Sequence, residues 1–254
     1  MKTLTEKQLA KFEETCEIAM YSAQMKTDKD LLKKGFYVSA ENVKMNGTGD
    51  ETNNYILSIS LPAGEINGTC CRCTCKDICY AKKGKQAMYS TQMSYHCNWE
   101  YYKRFGVQKT IESIITGVTM QELQLAKEGK RVIAIRAFAA GDIPDIEYMD
   151  VLKGVADYYN GKYYCFGFTR KPAYVDVMIE KYGRGNLNMI ISNNGTEYKN
   201  EYNNVTEKVI ETIEDASEND FICPGSCTRC FYGTDKVPYC AVYHSNGCVC
   251  HLHH

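Results

Sequence analysis

Apolar residues recur at helical spacing across Thr5–Gln24, where Leu9, Phe12, Cys16, Ala19 and Met20 share one face. Asp30–Asn54 is polar and rich in Gly and Asn, the pattern of a loop with a small extended excursion at GFYVSAENV. Tyr55–Leu61 (YILSISL) reads as a strand, stopped by Pro62 and Gly64. Two helical segments follow. One covers about Lys85–Arg104 and carries Met88, Tyr95, Trp99 and Tyr102. The other covers about Val107–Lys127, with Val107, Ile111, Ile114, Ile115 and Val118 on one stripe.

From residue 131 the pattern becomes regular. RVIAIRAFAA is a buried strand ending at Gly141-Asp142, and Pro144 opens a helix through about Tyr158. KYYCFGF is a second strand, ending at Thr169-Arg170-Lys171-Pro172 and followed by a helix over Ala173–Lys181. NLNMIIS is a third, ending at Asn193-Asn194-Gly195. A helix is expected near Val205–Ile213 and a short strand around Phe221. Strand, loop and helix in alternation imply a parallel sheet, so residues 131–137, 163–168 and 187–192 should be adjacent parallel strands. Only about five or six βα units fit, short of a full eight-stranded barrel. The expected fold class is therefore α/β: an incomplete (βα) barrel or an open parallel sheet, with cysteine-rich metal-binding loops. Without a low-complexity linker, the chain reads as one domain over 1–254. It comprises a helical amino-terminal extension (1–54), an α/β core (55–222) and a cysteine-rich carboxyl-terminal segment (223–254).

Composition changes this picture in one respect. Hydrophobic residues are 44% and charged residues 24%, ordinary for a globular chain, and 30 basic residues nearly balance 31 acidic ones. Charge alone thus points to neither nucleic acid nor membrane, and no apolar run approaches the roughly 20 residues of a membrane span. The amino terminus lacks the apolar segment of a secretory signal, so a cytoplasmic setting is expected. What stands out is fourteen cysteines. Disulfides are rare in a reducing compartment. Four N-x-S/T sequons (Asn46, Asn67, Asn194, Asn204) and an even cysteine count leave a secreted disulfide protein as a rival.

Clustering favours metal over disulfide. Cys70, Cys71, Cys73, Cys75 and Cys79 crowd into ten residues, and Cys223, Cys227 and Cys230 into eight. Thiols this close pair poorly with one another but wrap well around one ion or cluster. The first group exceeds four ligands, and Cys71, Cys73, Cys75 and Cys79 are the candidate set. Cys223-x3-Cys227-x2-Cys230 has the spacing of a three-thiolate iron–sulfur site and carries a Cys-Pro pair. Cys240 or His244 would complete a zinc site instead. The expected cofactor is an iron–sulfur cluster, [4Fe–4S] first, with zinc as the alternative. The terminal Cys248–His254 run is a further candidate, as a metal-binding tail.

Chemistry in an open sheet or partial barrel belongs at the carboxyl ends of the strands, where both cysteine groups, Asp142, Arg170 and Asn193 all fall. Asp142, at a strand tip, is the candidate base or nucleophile, while Asp145 reads as a helix amino-terminal carboxylate. Arg136 lies inside the same strand, where an unpaired charge is costly, so it should face the site or pair with an acid. Thr169, Arg170 and Lys171 form a candidate anion-binding turn, with Arg170 placed beside Asp142 in the catalytic pair. Arg136, Thr169, Lys171 and Asn193 are the candidate cofactor-binding residues. Lys82, Lys83 and Lys85, with Tyr80, Tyr89, Tyr95, Trp99, Tyr101 and Tyr102, offer a basic-aromatic surface suited to nucleic acid. Walker, Rossmann, G-x-S-x-G and H-E-x-x-H motifs do not occur.

The order of CKDICYAKKG, IRAFAAGDIPD, YYCFGFTRK and CPGSCTRC resembles a cysteine-rich protein family of bacteriophages and mobile elements, over roughly residues 55–244. That family carries no firmly assigned activity. It is in turn similar to radical-SAM-like partial barrels, and this similarity implies S-adenosylmethionine as a further cofactor. Here C-x3-C-x2-C falls near the carboxyl terminus, whereas the loop after the first strand reads Cys71-x3-Cys75-x3-Cys79. By analogy the chain is also similar to the guanine transglycosylase barrel, in which strand-tip aspartates act. The expectation is a metalloenzyme acting on a nucleotide or nucleic-acid base. The alternative is a zinc-stabilised module that contacts host protein or nucleic acid.

Overall fold

The computed structural model describes residues 3–40, 46, 53–64, 67–70, 79–192, 199, 201–202, 204–210, 212–218, 220–223 and 248–252. Helix α1 (Glu6–Gln24) begins with a reciprocal capping box between Thr5 and Gln8 and buries Phe12, Cys16, Ala19 and Ala23 along one stripe. Thr27 and Asp30 form the same device at α2 (Asp28–Lys34), where a loop was expected. This helix is too short for a periodic signal and depends on its caps. Strand β1 (Val38–Ser39) is the expected extended excursion, and β2 (Asn54–Ile59) is the YILSISL strand.

Helix α3 spans Tyr89–Lys127 and is broken at Gly106, whose φ of 72° and ψ of −171° only glycine adopts readily. The two segments expected on either side of that glycine are the two halves of α3. Then follow β3 (Arg131–Ala137), α4 (Tyr148–Tyr158), β4 (Tyr164–Thr169), α5 (Pro172–Tyr182) and β5 (Leu187–Ser192). Pro172 occupies the first turn of α5, where its missing N–H costs nothing. Helix α4 starts four residues later than Pro144 suggested. The segment between serves the strand-tip network described below.

The region expected to be a helix near Val205–Ile213 is instead β6 (Thr206–Ile210) and a short 3-10 turn (Ile213–Asp215). The open edge of β5 decides this, pairing Ile191 with Thr206 and Ser192 with Glu207, and β-branched residues suit the strand. Strand β7 (Phe221–Ile222) matches expectation. Cys248–Leu252, expected to be a tail, is strand β8, hydrogen-bonded on one side to β6 and on the other to β7.

The sheet has the order β1-β2-β3-β4-β5-β6-β8-β7. Only β1–β2 is antiparallel, and every other pairing is parallel, so the architecture is an open, mostly parallel eight-stranded sheet with five helices among the described residues. The expected adjacent parallel strands are β3, β4 and β5. From β2 to β6 the strands follow in chain order, and right-handed crossovers then put the intervening helices on one face. The larger core lies there, joining Leu57, Ile59, Ile135, Cys165, Met189 and Ile191 to Ile114, Tyr148, Leu152 and Val175. The opposite face carries a second buried cluster of Ile56, Ala134, Ala139, Phe166, Ile190, Val205 and Val249, none of which lies on a helix. Among the described residues no helix is long and apolar enough to cross a membrane.

Candidate functional site

At the carboxyl rim the segments after β2 and β3 stay zipped beyond the strands. Phe138 N–H donates to the Ile59 carbonyl at 2.7 Å, Leu61 N–H to that of Ala140 at 3.1 Å, and Thr69 N–H to that of Pro62 at 2.9 Å. Phe138 takes a φ of 60°, an uncommon left-handed conformation at the tip of β3.

Asp142 sits in this knot, 5% exposed. Its N–H donates to Thr69 Oγ1 at 2.8 Å. Its carboxylate accepts from Thr169 Oγ1 (2.6 Å), Ile143 N–H (2.7 Å) and Arg170 N–H (3.0 Å). Burial pushes the Asp142 carboxyl above the ordinary carboxylate range, opposed by these three donors and by Lys171. Lys171 Nζ donates to the Ile143 carbonyl, and to those of Pro144 and Thr69 at 3.3 and 3.4 Å. Asp142 and Arg170 therefore meet, but through the Arg170 backbone. The Thr169 hydroxyl and Lys171 ammonium, expected to face an anion, point into the knot and tie three loops together.

Gly141 makes this approach possible. It has a φ of 81°, and a Cβ there would lie 2.6 Å from the Leu61 carbonyl oxygen and 2.8 Å from Thr69 Oγ1. Gly141→Ala should accordingly cost about 3 kcal/mol of stability, by strain plus displaced backbone, read as a lowered urea midpoint. An unchanged midpoint would show that the loops separate freely. Asp145 takes the expected helix role, accepting from Tyr148 N–H at 2.9 Å and from the Tyr102 hydroxyl at 2.6 Å.

Arg136 faces the other way. Ser58, Arg136, Phe166 and Asn188 pair in register across β2, β3, β4 and β5, forming one cross-strand row on the helix-free face. All four are buried. The Arg136 guanidinium lies 4.8 Å from the Phe168 ring centroid, its Nε has no hydrogen-bond partner, and among the described residues no carboxylate meets it. A buried cation without an acid is costly, and an incoming anion relieves that cost. Arg136 thus neither joins the Asp142 knot nor pairs with an acid among the described residues. Ser58 and Asn188 were missed, although the alternation in NLNMIIS sets Asn188 opposite Leu187 and Met189.

Cys71, Cys73, Cys75, Cys227, Cys230, Cys240 and Asn193 lie outside the described residues. Cys70 and Cys79, at the two ends of the first cysteine loop, pack against one small cluster of Ala63, Ala81, Tyr95 and Ala140. The loop thus leaves and returns at the same place. Cys223 packs instead on the helix-free cluster, with its N–H bonded to the Cys250 carbonyl at 2.8 Å. Cys16, Cys97 and Cys165 are core residues, and burial pushes the Cys16 and Cys165 thiols up to about 12. Cys16, Cys97, Cys165, Cys223, Cys248 and Cys250 form no disulfide among the described residues. Two sequon asparagines, Asn46 and Asn204, are 4% and 0% exposed, so those sites are closed to glycosylation in the folded chain. Of the basic-aromatic surface, Tyr95, Tyr101 and Tyr102 are core and Lys82 lies over the Phe12 ring, while Lys85 and Tyr89 are exposed.

No curated protein and no solved structure matches the chain, and the likeness to radical-SAM partial barrels gains no support. The sequence profile described as gene product 88 matches residues 24–245, which fits the phage-type family that the motifs resemble. With that match over most of its length, the chain belongs to the gene product 88 family.

Proposed function

We propose that this chain is a metalloenzyme whose cysteine loops hold an iron–sulfur cluster and whose helix-free sheet face binds the phosphate of a nucleotide. The observation that carries the reading is Arg136: a guanidinium 7% exposed, near the carboxyl end of its strand, with no acid beside it among the described residues. Polar Ser58 and Asn188 share its row, while Phe166 and Ile190 form a buried apolar wall beside it. Pockets that bind small ligands combine such apolar walls with a few placed polar groups. For the metal, the donor set fits: the first loop carries its thiols between Cys70 and Cys79, whose shared packing brings the loop ends together. Thiolates suit both iron–sulfur clusters and zinc. A cluster there would supply electron transfer or a Lewis-acidic iron, and the residues of the sheet bind and orient the substrate.

Calorimetric titration with the common nucleoside 5′-monophosphates tests the substrate part. At least one should bind, its nucleoside should bind far more weakly, and Arg136→Gln should weaken binding by roughly 10- to 100-fold, the worth of a charged hydrogen bond. Equal binding by wild type and variant, or no binding by any nucleotide, would overturn it.

A further inference from the structure

A second set of ligating side chains lies away from the knot, and two of them belong to the terminal Cys248–His254 run. Asp220 precedes β7, and Cys248 and Cys250 lie two apart on β8, so both thiols project from one face of that strand. The carboxylate and the two sulfurs all lie within 4.8 Å of one another. Their backbones are fixed by the parallel ladder, in which Ile222 pairs with Cys250, and Thr206 and Lys208 of β6 pair with Cys248 and Cys250. Cys250 is 0% exposed and Cys248 is half-buried. Lys208 Nζ stands beside them, 2.8 Å from Asp220.

We infer that Asp220, Cys248 and Cys250 form a binding site for a zinc-like divalent ion, separate from the iron–sulfur loops. The charge arithmetic supports it. Two thiolates and a carboxylate bring −3, the ion +2 and Lys208 +1, so the loaded site is neutral. Counted as thiols beside the Asp220–Lys208 pair, the same groups without the ion also sum to zero. Loading exchanges one Zn2+ for two protons, forms two Zn–S bonds and one Zn–O bond, and changes no oxidation state. Soft thiolates select zinc over magnesium or calcium. Among the described residues three side chains are placed to ligate, one short of the four of a closed structural zinc site.

The site shares no residue with the proposed cluster, so the two readings fail separately. The test is zinc stoichiometry of the reduced full-length chain after equilibrium dialysis, with iron counted in the same samples. Cys248→Ser and Asp220→Asn are compared with wild type, and circular dichroism confirms folding. Each variant should hold one zinc fewer per chain, or bind it at least tenfold more weakly, with iron unchanged. Cobalt substituted for zinc should lose thiolate-to-metal absorption in Cys248→Ser. Asp220→Asn leaves both thiols in place and decides the matter should the serine variant not fold. Zinc content and affinity equal to wild type in the folded variants would overturn the assignment.

Discussion

Asp142→Ala should destabilise the chain by roughly 3–5 kcal/mol, the cost of removing one partner from a buried charged network. The truncation strands Ile143 N–H and Arg170 N–H in a buried site, releases the Thr169 hydroxyl and removes the charge opposite Lys171. Asp142→Asn should cost less, about 1–3 kcal/mol, because one oxygen still accepts while the amide meets a donor. Denaturant titration of both variants measures this. Midpoints equal to wild type would mean that the knot contributes nothing to folding, and Asp142 would return as a purely chemical residue. Gly141→Ala and Asp142→Ala should not add, since the two residues are adjacent in one knot of loops.

Acid should weaken the fold through His96. This imidazole on α3 is 1% exposed, its Nε2 has no hydrogen-bond partner, and burial, then Lys103, lower its pKa from 6.5 to about 4. The unfolded chain therefore binds this proton more readily than the folded one. The stability it contributes is whole above pH 6.5 and is lost as pH falls toward 4, up to about 3 kcal/mol for a shift of this size. Asp142 acts in the opposite sense. Its raised carboxyl contributes stability that is whole below the ordinary carboxylate range and is lost as pH rises through the native value. The His96→Phe variant isolates the first term: wild type minus variant stability should fall by about 3 kcal/mol between pH 7 and pH 4. A difference that stays flat would show that His96 takes its proton inside the fold.

The strands β3, β4 and β5 were legible because each is a continuous apolar run closed by polar turn residues, a signal contained within ten residues. The break in α3 was legible for the same reason, with apolar stripes ending on either side of Gly106. β6 and β8 were not. Their strand character depends on partners elsewhere, Ile191 and Ser192 for one, Thr206 to Ile210 for the other. Arg136 was legible as a charge inside an apolar strand. The duties of Asp142, Thr169 and Lys171 were hidden because their partners lie far off in sequence. Thr69 is 73 residues from Asp142 and 102 from Lys171. A polar strand tip looks the same whether it faces a substrate or fastens neighbouring loops.

The central claim is that the cysteine loops hold an iron–sulfur cluster. Iron, acid-labile sulfide and zinc, counted per chain in full-length protein purified without oxygen, test it most directly. The account predicts a brown protein with iron and sulfide in equal amounts, and loss of both on replacing Cys79 or Cys227 by Ser. A colourless protein without iron, with its thiols free to titrate or loaded only with zinc, would contradict it.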